Sequence, residues 1–438
     1  MTPQVDIPAA TLRRTTLAAA IGNTVETYDY AVYGFLATVL AKAFFPASTP
    51  ETALLSSFAV FGSAFLARPA GALVFGPIAD RLGRRPALVA SLLLMAAVST
   101  LIGVLPSTAT IGIAAPVLLV LLRFAQGLAG GGEYTTAIIY VAEFAPPHRR
   151  GALSSRVQVG SLAGLLIGAV VVLFLNAALT HDQMLAWGWR VPFLLALPIG
   201  AIGLYLRSRF GETPEFLAAR NEPSQQDVKV TDQWARVFLL VGVSVLHIIG
   251  FYMTYTYVQS YLIRLRLSPF TATSVIAFAL LIGLFLVIAG GRASDRKGRS
   301  RVLLATSLTV LIVTYPLFAV LSTAPPLWLV IVCTVLLSAG PAFYSGIAPI
   351  TYVQLIPVRR RGSVVAVAYN IAVAALGGSA VFICQVLVQL TGDSRSPAYL
   401  LLAAATVSAI AAFALTRRTR RHLQPSPSPM SLSAEASS

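Results

Sequence analysis

Charge is what this sequence has least of. Only 11% of its 438 residues are charged, 57% are hydrophobic, and the mean hydropathy is +0.79. Soluble domains average about 25% charged residues. A chain of this composition lacks the polar groups to cover a water-exposed surface, so a soluble enzyme or signalling module is excluded. The length reads as repeated membrane spans. Acidic side chains are scarcest, 16 Asp+Glu against 32 Lys+Arg, a net charge of +16. In a soluble protein that excess suggests nucleic acid. Here the basic residues fall in short gaps between apolar runs, and no nucleic-acid partner is expected. Cysteine is nearly absent: Cys333 and Cys384 lie within apolar runs and read as packing residues, which excludes a disulfide framework. The four histidines, His148, His181, His247 and His422, are scattered. With no HExxH and no Cys/His cluster, neither a metal nor a cofactor is expected. Arg13 and Arg14 before an apolar run mimic a signal peptide. That run is too long, contains Glu26 and Asp29, and precedes many more spans, so it reads as a retained first helix.

A span needs roughly 20 apolar residues. Twelve runs qualify, near 17–41, 53–78, 86–105, 112–143, 153–179, 189–209, 236–262, 269–291, 301–322, 326–356, 363–390 and 397–416. The expected fold is an all-α membrane protein with twelve transmembrane helices in two six-helix halves. The divisions are an N-terminus 1–16, a first half 17–209, a central loop 210–235, a second half 236–416 and a tail 417–438. The tail is basic, then rich in Ser and Pro without heptads, and disorder is expected. Lys and Arg fix the orientation. With both termini cytoplasmic, the outer segments hold only Lys42, Arg190, Arg264, Arg266 and Arg395, while Arg68 and Arg123 lie inside spans. The expected place is the cell (inner) membrane, with the lipid bilayer as solvent.

The halves repeat. "GPIADRLGRRPALV" follows the second span and "GGRASDRKGRSRVLL" the eighth, so Gly76, Asp80, Gly83 and Arg84 match Gly291, Asp295, Gly298 and Arg299. "PHRRGAL" and "VRRRGSV" form a second pair, with Gly151 matching Gly362. Parallel six-span halves are one repeat found in secondary transporters, with the substrate cavity near the midplane between them. Positive-inside charge and glycine turns account for the arginines, but not for Asp80 and Asp295 in matching places. Carboxylates at helix ends bind helix N-termini or arginines, so these loops read as a latch on the cytoplasmic side. Glu143 is expected to form a gating pair with Arg149 or Arg150, or else to be a solvated helix end. Arg68, before Pro69, is expected near the inner end, bracing the latch.

The greasy stretch "IGNTVETYDYAVYGFLATVL" carries two carboxylates. Glu26 lies about 14 Å into the membrane and Asp29 one turn further, on nearly the same face. Charges at that depth are costly and face a cavity or a partner. A low-dielectric site disfavours the charged form of a carboxylate, which suits a proton carrier. Arg123 falls near the midplane and is expected to pair with Glu26 or Asp29, or to hold a substrate carboxylate through its bidentate fork. The bland alternative is a static ion pair. Glu133 lies about 15 Å beyond Arg123, after "GLAGGG", whose glycines permit close helix packing. Glu26, Asp29 and Glu133 are the proton-coupling candidates. Arg123, Tyr252, Tyr255 and Asn370 are the substrate candidates. The tyrosines of "LHIIGFYMTYTYVQSYL" suit a quaternary ammonium, or are packing. His247 is a relay candidate or a packing residue, and Gln385 a cavity-lining one.

"GxxxDRxGRRxxL" resembles the signature of the major facilitator superfamily. "GNxxExYDYxxYGFLA", "RFAQGLAGGGEYTTAIIYVAEFAPPHRRG" and "WGWRVPFLLALPIGAIGLYLRSRFGETPEF" resemble its metabolite:proton symporter branch, over roughly residues 15–416. "GGEYTTAIIYVAEFAP", "GSLAG" and "FYMTYTYVQSYL" are most similar to proline/glycine betaine transporters, and "LTGDSRSPAYLL" equally to citrate and tricarballylate transporters. Thr27 stands where the branch usually has an aromatic residue. The resemblance implies a proton-coupled importer of a small zwitterion or organic acid, driven by the proton gradient; a monomer is expected. Proton-driven efflux is the alternative. An integral membrane enzyme or a sensor is the remote one, since no nucleophile constellation or signalling domain is present.

Overall fold

The computed structural model describes residues 9–46, 50–208, 211–221 and 230–423. In the first half, α1 is Ala9–Phe35, prolonged by Ala37–Phe44. It is followed by α2 (Pro50–Arg81), α3 (Arg84–Val104), α4 (Ala114–Phe144), α5 (Arg150–Ala178) and α6 (Arg190–Ser208). A short helix, Pro214–Asn221, lies in the central segment. In the second half, α7 is Val230–Tyr252, continued by a π-helical turn Met253–Tyr257 into Val258–Arg264. Then come α8 (Pro269–Lys297), α9 (Arg299–Ser322), α10 (Leu327–Ser345, resuming at Ala348–Leu355), α11 (Arg361–Thr391) and α12 (Pro397–Leu423).

Eleven described helices are long and apolar enough to cross a membrane. The twelfth crossing is α1, whose Arg13, Arg14, Glu26 and Asp29 give it four charges. The chain is a multi-pass membrane protein of twelve helices. Large apolar side chains such as Leu66, Phe285, Ile312 and Leu390 point outward on the described surface, as a lipid-facing surface requires.

The packing repeats as the sequence does. In the first half α1 packs on α5 and α6, α2 on α4, and α3 on α4 and α6. In the second, α7 packs on α11 and α12, α8 on α10, and α9 on α10 and α12. Two seams join the halves, α5 against α8 and α2 against α11. The loops between α2 and α3 and between α8 and α9 turn at Gly83 (φ 115°) and Gly298 (φ 87°). Only glycine enters that region without steric cost, which is why both repeats place it there.

Three boundaries move. α1 begins at Ala9, eight residues before the expected span start. Residues 417–423 of the expected disordered tail continue α12. Part of the expected central loop is helical, and α7 already begins at Val230. Residues 1–8, 222–229 and 424–438 lie outside the described residues, so the rest of the N-terminus, loop and tail expectations lies there too.

Candidate functional site

A cavity of about 230 Å³ lies between the halves, lined from α1, α2, α4, α5, α7 and α11. Its lining runs from Asn23, Tyr134 and His247 at the deep end to Phe35, Gln259 and Ser260 at the shallow end. On α1 and α7 the shallow residues come later in the chain, so the cavity extends away from the face that carries the Gly83 and Gly298 turns. That turn-bearing face is the latch face.

Two charged partners meet in the lining. Arg68 Nη1 lies 2.8 Å from Glu26 Oε1, with both side chains buried. Arg68 Nε donates to Asn370 Oδ1 (3.0 Å) and Nη2 to the Gly130 carbonyl (3.2 Å). Asn370 Nδ2 donates in turn to the Gly131 and Ala366 carbonyls. The glycine run of α4 makes this possible: a Cβ on Gly131 would stand 2.2 Å from the Arg68 carbonyl, and one on Gly130 would stand 3.1 Å from Glu26 Oε1. The second carboxylate oxygen, Glu26 Oε2, has no hydrogen-bond partner among the described residues.

Aromatic rings surround the pair. Tyr30, Phe61, Phe251, Tyr252, Tyr255 and Tyr369 line the cavity, and the Arg68 guanidinium lies 5.7 Å from the Tyr30 ring centre. The π turn of α7 begins directly after Tyr252 and contains Tyr255. π turns are rare and recur at functional sites. At the floor, His247 Nδ1 and the Tyr352 hydroxyl are 3.0 Å apart, and the Tyr134 hydroxyl donates to Gln158 (2.7 Å). This polar floor joins the first half (Tyr134, Gln158) to the second (His247, Tyr352).

The other intramembrane charges stand apart from the cavity. Asp29 and Arg123 face each other at 3.6 Å, bridged by Gln126, which accepts from Arg123 (2.6 Å) and donates to Asp29. Arg123 also lies 4.2 Å from the Tyr33 ring centre. Neither residue lines the cavity. Of the two expected partners of Arg123, Asp29 is the one it meets and Glu26 is not. Glu26 and Asp29 were expected on one face; the three-residue step turns 60° short of a full circle, enough to send them to different neighbours. Arg68 is not at the inner end: it stands 13 residues before the end of α2, about 20 Å from the latch face. Asn370 holds Arg68 instead of lining the cavity, whereas Tyr252 and Tyr255 line it. Gln385 does not line it. Glu133 is gripped by both terminal nitrogens of Arg207, with Nη1 at 2.9 Å, and by Ser91 (2.7 Å), behind α1.

On the latch face, Asp80 accepts from the backbone N–H of Gly362 and Ser363, both 2.8 Å, at the start of α11. Asp295 does the same with Gly151 and Ala152, both 2.8 Å, at the start of α5. Each carboxylate crosses a seam to the opposite half, where the helix dipole favours it. Arg84 lies 3.0 Å from Asp80 and Arg299 lies 3.7 Å from Asp295. Gly76 and Gly151 permit the approach: a Cβ would stand 2.8 Å from Ser363 Cα in one case and 2.5 Å from the Gly291 carbonyl in the other. Glu143 does not pair with Arg149 or Arg150. It reaches Arg84 (3.1 Å), Arg361 (2.9 Å) and the Thr213 hydroxyl (2.6 Å). Arg150 pairs with Glu215, which also meets Arg361 at 3.0 Å. Arg149 has no ion pair among the described residues. Its adjacency to Glu143 in sequence misled, because the turn at Pro146 and the short helix Pro147–Arg149 carry it outward.

The Major Facilitator Superfamily model matches residues 19–382. The chain belongs to the Major Facilitator Superfamily. Over 427 residues, 94% of this chain and 85% of the relative, it is 34% identical to the proline/betaine transporter of Salmonella typhimurium, and equally to that of Escherichia coli. It is 33% identical to the citrate-proton symporter of Klebsiella pneumoniae, covering 93% of each chain. Its fold matches the proton:xylose symporter XylE bound to 6-bromo-6-deoxy-D-glucose, with a TM-score of 0.80 at 18% identity, over 94% of this chain and 96% of that one.

Several residues of this Major Facilitator chain were not singled out from sequence: Gln158, Tyr134 and Tyr369 in the cavity, and Arg361, Thr213 and Glu215 on the latch. Gln158 had a signal, as a polar side chain in an apolar run. Arg361 had one too, as the repeat partner of Arg150. Tyr134 and Tyr369 had none, since tyrosines are common in spans.

Proposed function

We propose that the chain is a proton-coupled importer of a small zwitterion of the proline or betaine type, working by alternating access with both termini cytoplasmic. The observation that carries this reading is the cavity's charge inventory. Its lining holds one arginine and one carboxylate, already paired with each other, among aromatic rings. A substrate with one carboxylate and one ammonium matches that set. The carboxylate takes the Arg68 fork, and the ammonium meets ring faces. A tricarboxylate would find a single arginine there.

Coupling follows from the pair. In the empty carrier Glu26 neutralises Arg68. A substrate carboxylate on Arg68 displaces Glu26, and an unpaired buried carboxylate costs several kcal/mol. Taking up a proton removes that cost. Two states then leave neither Arg68 nor a buried carboxylate unpaired: empty with the pair intact, and loaded with Glu26 protonated and the substrate ammonium against the ring faces. Only these cross between outward and inward openings, and release inside restores the pair. Closure of the mouth accompanies breakage of the Asp80 and Asp295 contacts.

Uptake of labelled proline, betaine and citrate into proteoliposomes, with and without an imposed pH gradient, tests this. Proline or betaine accumulation that an uncoupler abolishes is expected. Citrate accumulation without either zwitterion overturns the substrate class. Gradient-driven loss from preloaded vesicles, without uptake, overturns the direction.

A further inference from the structure

The latch end of the α5–α8 seam carries a charge cluster that the latch does not use. Arg156, half-buried on the second turn of α5, sits where α5 packs on both α1 and α8, its level set by Gly160 against Ala20 on α1 and by Gly151 against Gly291 on α8; the cations beside it are Arg149 of the same half, Arg13 of α1 and Arg292 of α8. All four are cations. None makes a side-chain hydrogen bond or ion pair with a described residue, whereas Arg84, Arg150, Arg207 and Arg361 each hold a carboxylate. The only carboxylate of α8, Asp295, is engaged by Gly151, Ala152 and Arg299.

The positive-inside tendency explains arginines at this level, but not their convergence on a half-buried one. The fold's own repeat supplies a control. The positions that match Arg156 and Arg292 at the other seam are Val367 and Pro77. Both seams close through the same glycines and aspartates, so closure does not require the arginines. Moreover, the cluster opposes closure, since Arg156 and Arg149 belong to one half and Arg292 to the other.

The surroundings identify the missing counter-charge. Leu17 lies one turn from Arg13 on α1, and Phe285 lies two turns from Arg292 on α8, each on its arginine's face. They are 52% and 67% exposed. The cationic cluster thus runs directly into exposed apolar stripes pointing toward the bilayer centre. We infer that the latch end of the α1–α5–α8 seam binds an anionic lipid, its phosphate among Arg13, Arg149, Arg156 and Arg292 and its acyl chains along Leu17 and Phe285. The phosphate screens the repulsion across the seam, so the lipid favours the latched state. This inference is independent of the transported substrate.

The test uses the full-length protein in nanodiscs of phosphatidylcholine with increasing phosphatidylglycerol, reading the melting temperature and, by native mass spectrometry, retained lipid. Phosphatidylglycerol is expected to raise the wild-type melting temperature. Each arginine near a membrane surface is worth about fivefold in lipid affinity, so Arg156→Gln/Arg292→Gln should need roughly 30-fold more phosphatidylglycerol for the same shift. In pure phosphatidylcholine that variant should melt above the wild type, because the repulsion is gone. Should it not fold, Arg13→Gln at an exposed position should weaken the response about fivefold, and Arg156→Lys should retain it. Equal stabilisation by both lipids, or an undiminished response in the Gln variants, overturns the site. Inorganic phosphate producing the same shift overturns the lipid assignment in favour of a soluble anion.

Discussion

At the scale of single residues, three intramembrane ion pairs share a chemistry and differ in access. Arg68–Glu26 faces the cavity, while Arg123–Asp29 and Arg207–Glu133 are enclosed by helices. Substitutions should separate them. Arg68→Lys loses the planar fork but keeps the charge. Charge-assisted hydrogen bonds are worth about 1.5–3 kcal/mol, so uptake at low substrate should fall roughly 10- to 100-fold, chiefly through KM. Arg123→Lys should leave KM unchanged; a matching rise in KM would return the substrate arginine to Arg123. Glu26→Gln keeps the shape without the titrating group. It should retain substrate exchange across the membrane while losing accumulation driven by a pH gradient, which counterflow and uphill uptake measure separately. Glu26 and Asp29 were visible in sequence as costly charges. Their separate partners were not, because a partner's identity depends on which helix lies alongside.

At the scale of elements, each latch is a carboxylate of one half capping the first turn of a helix in the other. The repeat of "DRLGRR" and "DRKGRS" made the latch positions legible before any packing was known, since matched acidic residues in basic loops need a reason. The bridging through Glu143, Thr213 and Glu215 was hidden, because the central segment folds back as the Pro214–Asn221 helix. The Asp295 cap is open to test. Ser155 is buried at the α5–α8 seam, its Oγ 2.6 Å from where a Cβ on Gly291 would stand. In a chain with Cys333 and Cys384 replaced by serine, a cysteine at 155 should label slowly from the latch face. Adding Asp295→Asn leaves one of the two acceptor oxygens and should speed that labelling. Unchanged labelling would show that the α5 N-terminus needs no carboxylate.

At the scale of the whole molecule, the structure has its latch engaged and its cavity extending toward the opposite face. In the proposed orientation, with both termini cytoplasmic, that face is extracellular. A cysteine replacing Thr256, which lines the cavity, should therefore react with a membrane-impermeant reagent added outside intact cells, and substrate should protect it. Labelling from the cytoplasmic side alone would reverse the assigned orientation.

Composition and spacing along the chain were enough for the class, the helix number, the two-half repeat and the carboxylates that cap helices across the seams. Each follows from local or periodic constraints: lipid demands long apolar helices, and a repeated backbone demands the same glycines. Which charges share the cavity came from helix packing alone. Arg68, Glu26 and Asn370 lie on α2, α1 and α11, far apart in the chain. They meet because the glycines of α4 let α2 approach to backbone contact and because α2 forms a seam with α11. Such pairings depend on angles and distances between helices, which residue spacing along one helix does not encode.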